Sequence, residues 1–276
     1  MKKIFIYLLT TVILGCTMFV SCKKVAQTEE QEEIPVTLTE EQRKEVKASI
    51  SERNIKFPIV FGTFGTIKHM ALKGQHMRVF LELNPRFYNV ERMSKEPEIV
   101  KRALIGNFAM MDDSYDPMFA TLAKNDVGLR IELGSQREED IMEVYISPEE
   151  VLKLSQTKEK DVNYVQVLQD HVNVHNLKLP CDIQNKGRLE SMHLTEGYVV
   201  CNFTVFEDKG NEMMRLRSGK MVIGSKMLKD LHKTTDPIEK NIIMLCRKAH
   251  RRLAYKFTGE KTGIQVTIFF YLTPAK

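Results

Sequence analysis

The feature that most constrains this chain is an internal repeat. Residues 54–83 align without a gap with residues 176–205. The two segments share Asn54/Asn176, Lys56/Lys178, Pro58/Pro180, Gly65/Gly187, Met70/Met192 and Leu72/Leu194, and apolar residues replace one another at further positions. Self-similarity of this length indicates that one structural unit has been duplicated.

The order of helices and strands is also the same in the two copies. Apolar residues alternate along residues 77–83 and 199–205, which is typical of strands with one buried face. Helical stretches follow, and in each copy an Asp-Pro pair opens a further helix. We therefore predict an α+β fold of two tandem related modules, each an antiparallel sheet with helices packed on one face in the order α-β-β-α-α-β-β. The alignment also predicts that Tyr145 is equivalent to Tyr271.

The N-terminus predicts export and lipidation. Lys2 and Lys3 precede an apolar run, and Cys22 follows Phe19-Val20-Ser21 at the point where polar sequence begins. This is the pattern of a bacterial lipoprotein leader, with Cys22 as the lipidated residue. Ile13-Leu14-Gly15-Cys16 fits the leader pattern almost as well, and an uncleaved anchor is a further alternative.

These patterns divide the chain into four parts. Residues 1–21 are the predicted signal peptide, and residues 22–38 form a flexible tether that is too polar to order itself. Module one is predicted at residues 39–148. Module two is predicted at residues 149–276, with a linker and helix over 149–175 before the repeated core.

The leader and the repeated asparagine-apolar-Pro entry, glycine, hairpin and Tyr-containing strand pair resemble those of uncharacterised exported lipoproteins of the Bacteroides type. The resemblance covers nearly the whole mature chain, but its motifs are structural. It implies a fold and a location in the cell envelope, and it transfers no catalytic residues.

Charge and motifs limit the function classes. Without Lys2 and Lys3 the chain has 39 basic and 36 acidic residues, a balance too mild to predict nucleic-acid binding. Ser155/Lys158 and Lys261-Thr262-Gly263 match two fragments of a serine β-lactamase motif set, which we interpret as chance. His171 and His175 have a metal-compatible helical spacing, yet a solvated helix end is favoured. We predict no catalytic residue, no metal site and no cofactor.

Cysteines remain only in the second copy of the mature chain. Cys181, Cys201 and Cys246 align with apolar positions where they can be aligned, which favours three buried small hydrophobic residues. A Cys181–Cys201 disulfide in an oxidising periplasm is the alternative.

Basic residues distinguish the second copy. The predicted Asp-Pro helix of this copy carries Arg247, Lys248, Arg251 and Arg252, whereas the first copy has one base there. A solvated face is favoured, and docking to anionic lipid or to an acidic partner is the sharper hypothesis. The favoured function is a non-enzymatic binding module for an envelope protein or glycan, with a groove between the copies, anchored through Cys22 on the periplasmic face of the outer membrane. Alternatives are a periplasmic hydrolase with its site between the modules, a structural spacer, and exposure on the cell surface.

Overall fold

The computed structural model describes residues 38–51, 57–85, 87–111, 113–134, 141–183, 186–234 and 237–272. The elements of the first half are α1 (Glu40–Ser51), β1 (Ile59–Phe61), β2 (Gly65–Lys73), β3 (His76–Leu83), α2 (Val90–Met93), α3 (Pro97–Ala109), α4 (Asp116–Lys124), β4 (Gly128–Gly134), β5 (Met142–Ile146) and α5 (Pro148–Gln156). Those of the second half are α6 (Tyr164–Asn176), β6 (Cys181–Ile183), β7 (Gly187–Leu194), β8 (Tyr198–Val205), α7 (Glu212–Ser218), α8 (Lys220–Lys233), α9 (Pro237–Lys248), β9 (Arg252–Gly259) and β10 (Gln265–Phe270).

Each half contains one five-stranded sheet, and the two sheets have the same topology. The strand orders are β1-β2-β3-β4-β5 and β10-β9-β8-β7-β6. The registers also repeat: Gly65 pairs with Leu83, and Gly187 pairs with Val205. The register of both hairpins shifts at the same position, between Ile67 and His69 and between Leu189 and Ser191. The predicted α+β fold of two related modules is confirmed.

The predicted all-antiparallel pairing is wrong at one position in each sheet. β3 pairs with β4, and β8 pairs with β9, in parallel. In each half the chain leaves one strand, runs through three helices and returns to the next strand. A crossover of this length permits parallel pairing, whereas a short hairpin loop does not. The short strands β1 and β6 were also absent from the predicted order.

The matched glycines occupy equivalent positions, at the start of β2 and of β7. A Cβ atom at Gly65 would lie 2.0 Å from the carbonyl oxygen of Glu82, and one at Gly187 would lie 2.3 Å from that of Thr204. Any side chain at either position would therefore displace the neighbouring strand. The predicted equivalence of Tyr145 and Tyr271 is wrong by two residues. Tyr145 pairs with Arg130, and the equivalent pair in the second sheet is Phe269 with Ala254.

The helices build two apolar cores that share α6. Val174 packs in the first core, whereas Val167, Leu168 and Val172 pack in the second. α5, which the sequence assigned to the segment leading into module two, packs in the first core through Val151 and Leu154. Leu38, at the end of the predicted tether, is buried in that core as well. Residues 37–276 form one compact unit that includes both cores.

Candidate functional site

A cavity of about 660 Å³ lies against the second sheet. Its floor comprises residues of β7, β8 and β9, and its helical wall comprises Leu231 of α8 with Ile242 and Ile243 of α9. Phe87, His175 and Leu179 line the side nearest the first half. The volume falls within the range of roughly 300–1,000 Å³ that is typical of small-molecule sites, and the lining is mainly apolar, as in such sites.

The cavity exists because the two halves cover their sheets differently. Residues at the floor of the cavity are Leu189, Met192, Cys201, Phe203, Leu253 and Tyr255. The equivalent positions in the first sheet, matched by strand register, are Ile67, Met70, Val79, Leu81, Leu129 and Ile131. All of these except Met70 are almost fully buried.

The difference originates in the covering helices. α3 contributes Val100, Ala103, Leu104 and Phe108 as fully buried side chains to the first core. α8 contributes none, and its inward residues are only half-buried. The second sheet is therefore covered by a helix that leaves space above the strands.

One polar atom in the cavity wall is without a partner. The Nε2 atom of His175 is buried and has no hydrogen bond to any described residue. Burial lowers the pKa of His175 to about 4, so the ring is neutral at neutral pH. A neutral imidazole nitrogen can form one hydrogen bond, and an unmade bond at a buried atom costs free energy.

His171, one turn before His175, belongs to a buried network that joins the two halves. Its Nδ1 lies 2.7 Å from the hydroxyl of Thr63, and its Nε2 lies 3.0 Å from Nδ2 of Asn107. The hydroxyl of Thr63 lies 3.0 Å from that of Tyr88, which donates to the carbonyl oxygen of Thr63 at 2.9 Å. The Tyr88 ring stacks on His175 with centroids 5.1 Å apart.

The prediction of a solvated helix end is therefore wrong for both histidines. Burial, together with the neighbouring His175, lowers the pKa of His171 to about 3. Asn107 Nδ2 also donates to the carbonyl oxygen of Ala103, which orients the amide so that it donates to Nε2 of a neutral His171. Nδ1 then carries the ring proton and donates to Thr63. Among the described residues, no three His, Cys, Asp or Glu side chains are grouped as metal ligands.

Two further contacts hold the halves together. Gly62, in the turn after β1, has a φ of +50°, and its carbonyl oxygen accepts from Asn241 of α9 at 2.6 Å. Arg92 of α2 donates to the carbonyl oxygens of Leu177, Lys178 and Leu179 at 3.1 to 3.3 Å. A cation at the carboxyl end of a helix is electrostatically favourable, so Arg92 stabilises the end of α6 beside the cavity.

The structure distributes the four predicted docking bases over the end of α9, the turn after it and the start of β9. α9 ends at Lys248, and Arg252 is the first residue of β9. Lys248 forms an ion pair with Glu159, and the Nε atoms of Arg247 and Arg251 are buried. Arg252 is exposed and lies 4.6 Å from the ring centroid of Tyr271. The prediction that these cations all point to solvent is wrong, and their docking role stays a prediction.

Of the cysteines in the described region, Cys201 and Cys246 are free. Cys181 is on β6 and Cys201 is on β8, with β7 between them. Strands two positions apart are separated by roughly 9.5 Å, which exceeds the limit of about 7 Å between the Cα atoms of a disulfide. Cys201 and Cys246 are buried as predicted, and burial raises the pKa of each thiol to about 12. Cys181 is half-buried in the cavity wall.

The two motif fragments that match β-lactamase sequences have structural roles and lie in separate elements. The Ser155 hydroxyl donates to the carbonyl oxygen of Leu152 in its own helix, and Lys158 pairs with Asp116 at 2.5 Å. The backbone N–H groups of Lys261 and Thr262 each donate to the buried Glu207 carboxylate at 2.8 Å. These hydrogen bonds lower the pKa of Glu207 and fix the loop between β9 and β10.

Cys22, the predicted signal peptide and the tether up to residue 37 lie outside the described residues. Within the described ranges, no helix has the length and apolar character needed to cross a membrane.

The sequence reasoning missed the cavity, although a signal was present. Cys181 and Cys201 stand where the first copy has Ile59 and Val79, so the second sheet has smaller side chains at aligned positions. From the sequence we interpret these cysteines as buried hydrophobic residues or as a disulfide, and neither interpretation predicts a cavity. Residues 220–233 are also much more polar than α3, which indicates a looser helix layer.

Comparison with known proteins gives little further information. No protein-family model matches the chain, and no curated protein matches it. A solved structure from Pseudomonas aeruginosa, of a protein inferred to be secreted, is 17% identical with a TM-score of 0.32, and the match covers 41% of this chain and 93% of that one.

Proposed function

We propose that this protein is a non-enzymatic binding protein of the bacterial envelope, and that it holds an apolar small molecule in the cavity of its second half. The observation that carries the proposal is the contrast between equivalent sheet positions, which are packed in the first half and line a cavity of about 660 Å³ in the second. The two copies keep the same strand register, but the core of the second copy is less completely filled. The space left in that core can hold a ligand. The cavity is built mainly by the second half and takes Phe87 from the first half, so it borders the expected groove between the copies.

The lining indicates the chemistry of the ligand. Leu189, Phe203 and Leu253 offer apolar contact, and the wall residue His175 has a buried Nε2 that lacks a partner among the described residues. We therefore propose an amphiphile with an apolar body and a neutral hydroxyl or carbonyl group. The exposed residues Asp182 and Ile183 on the short edge strand β6 mark the open side of the cavity.

A fluorescent apolar probe tests the site. N-phenyl-1-naphthylamine gains fluorescence in apolar surroundings, and we expect saturable binding to the chain from Thr37 to Lys276. The chain contains no tryptophan. Leu189→Trp would therefore both occupy the cavity and add a fluorophore, and we expect it to abolish probe binding.

Val60→Trp is the matched control, because Val60 is exposed on the first sheet. It should bind the probe as wild type does. Equal probe binding by Leu189→Trp and Val60→Trp, with both variants folded, would refute the cavity as the site. Absence of binding to wild type would do the same.

We also propose that Cys22 is lipidated and anchors the protein in the outer membrane, facing the periplasm. The basic, apolar and small-residue pattern before Cys22 supports this proposal, as does the resemblance to exported lipoproteins of the Bacteroides type. Metabolic labelling with a clickable fatty acid should mark the full-length protein and leave Cys22→Ala unmarked. Label on Cys22→Ala would contradict the assignment of Cys22, and Cys16→Ala tests the alternative residue.

A further inference from the structure

The helices α7 and α8 contact the second core through one face only. The inward side chains Leu216, Ile223, Met227, Leu228 and Leu231 are half-buried and pack on this core. Gly224 lies so close to β10 that an added Cβ atom would be 2.9 Å from Cγ2 of Ile268. This close approach fixes which face of α8 points to solvent.

The outward face of α8 is both apolar and basic. Met221 and Val222 are 86% and 76% exposed, which is unusually high for large hydrophobic side chains. Val222, Lys226, Lys229 and Lys233 follow one another at intervals of three or four residues, so they form a single stripe along the helix.

The charge on this surface is mainly positive. Arg215, Arg217, Lys220, Lys226, Lys229 and Lys233 are exposed on α7 and α8, and Asp230 is the exposed acid on these helices. None of the six bases forms an ion pair with a residue in the described ranges. Their charge is therefore available to an external anion.

Aromatic side chains extend the surface beyond the start of α8. Lys220 Nζ lies 6.0 Å from the ring centroid of Phe269, which is 47% exposed. We call the outward side chains of α7 and α8 together with Phe269 the α8 surface.

We propose that the α8 surface binds an anionic phospholipid bilayer, with Met221 and Val222 inserted among the headgroups and the lysines above them. A helix lies in a membrane interface when exposed apolar residues are flanked by bases that contact anionic lipid. A purely acidic macromolecule would match the lysines but would leave Met221 and Val222 in water. The apolar pair therefore favours a bilayer.

This surface is distinct from the cavity, although Leu231 on the inward face of α8 lines that cavity. Binding to a bilayer would place the cavity wall near lipid. The proposal does not depend on the cavity holding a ligand, because it rests on the outward face alone.

Vesicle flotation with the chain from Thr37 to Lys276 tests the proposal without the lipid anchor. Wild type should bind vesicles of phosphatidylcholine and phosphatidylglycerol in a 3:1 ratio, and binding should weaken as salt rises. Lys226→Gln/Lys229→Gln/Lys233→Gln should weaken binding roughly a hundredfold, since each lysine near an anionic surface contributes about fivefold. Lys44→Gln/Lys47→Gln/Lys73→Gln is the control with the same change of charge, and it should bind nearly as wild type.

Two further variants distinguish insertion into a bilayer from purely ionic binding. Met221→Ser/Val222→Ser should weaken binding while leaving the melting temperature and probe binding in the cavity unchanged. The tryptophan emission of Val222→Trp should shift to shorter wavelength when anionic vesicles are added, and that of Val60→Trp should not.

Several outcomes would overturn the proposal. These are failure of wild type to bind, equal loss in the Lys44/Lys47/Lys73 control, or full binding by Met221→Ser/Val222→Ser, which would indicate a purely ionic partner. The variant Arg247→Gln/Arg251→Gln/Arg252→Gln is measured in the same way. If it alone loses vesicle binding, the docking surface lies at the end of α9 instead. Probe binding in the cavity is measured separately, so failure of either proposal can be recognised on its own.

Discussion

The two sheets have the same strand register and the same crossover, but the helix layers above them differ. In the first half, α3 buries apolar side chains along its whole inner face against the strands. In the second half, α8 remains half-exposed, and α9 provides the buried contacts through Ile243, Leu245 and Cys246. The strand ladders were retained after duplication, and the helix layer diverged.

This difference shows which part of the unit defines the fold. Ladder hydrogen bonds depend on the backbone, so the side chains above a sheet can change without altering its register. Core packing tolerates change as long as enough apolar surface stays buried. The first half fills its core and also holds the buried junction network, whereas the second half opens its core.

The largest expected effect concerns the junction between the halves, which should weaken as pH falls. In the unfolded chain, histidine takes up a proton near pH 6.5, whereas the folded pKa values of His171 and His175 are about 3 and about 4. Their contribution to stability is therefore complete above pH 6.5 and is lost as pH falls towards these folded values. At pH 5 we expect the free energy of unfolding to be lower by about 4 kcal/mol than at pH 7.5.

Urea denaturation at the two pH values measures this loss. His175→Gln removes one of the two titrating groups, so the loss should fall to about half. Equal stability of wild type at pH 5 and 7.5 would show that the histidines are not held neutral at the junction.

The next effect tests whether the turn at Gly62 is as constrained as the structure indicates. A Cβ atom at Gly62 would lie 1.7 Å from Oδ1 of Asn107, so Gly62→Ala should displace Asn107 from His171. Together with the left-handed backbone, this should destabilise the protein by at least about 3 kcal/mol. Gly74 also has a positive φ, of +64°, but a Cβ atom there would have open space. Gly74→Ala should therefore lower the free energy of unfolding by only about 1 kcal/mol. Thermal or urea unfolding of the two glycine variants separates the effect of backbone strain from that of the clash.

The smallest expected effect is a difference between the two cores, measured by the same substitution at equivalent positions. Leu129 pairs with Met77, and Leu253 pairs with Val199, so the two leucines occupy the same place in the two sheets. Leu129→Ala would leave a void in a filled core and should cost about 3–5 kcal/mol. Leu253 borders space that already exists, so Leu253→Ala should cost roughly 2 kcal/mol less. Equal costs in urea unfolding would show that the second core is as tightly packed as the first.

Much of the fold could be predicted from sequence, because the repeat fixed the element order and alternation placed Met77, Val79, Leu81 and Leu83 on the buried face of β3. The parallel pairing could not, since strand patterns do not reveal the direction of the neighbouring strand. The candidate site was harder still. Cys201 looks the same in sequence whether it is buried under a helix or lines a cavity, and the distance of α8 from the sheet decides between them. His171 and His175 were misplaced because their burial depends on residues more than 60 positions away, such as Thr63 and Asn107.

The shared helix α6 gives the chain a direction of assembly. The first core receives its last buried side chain from α6, at Val174, and α6 ends 100 residues before Lys276. During synthesis, the first half can therefore close before the second sheet has been made, and α6 then presents Val167, Leu168 and Val172 as a surface on which that sheet folds. A permuted gene with residues 177–276 ahead of residues 38–176 would reverse this order. The second sheet would then be synthesised before α6, the helix on which it folds.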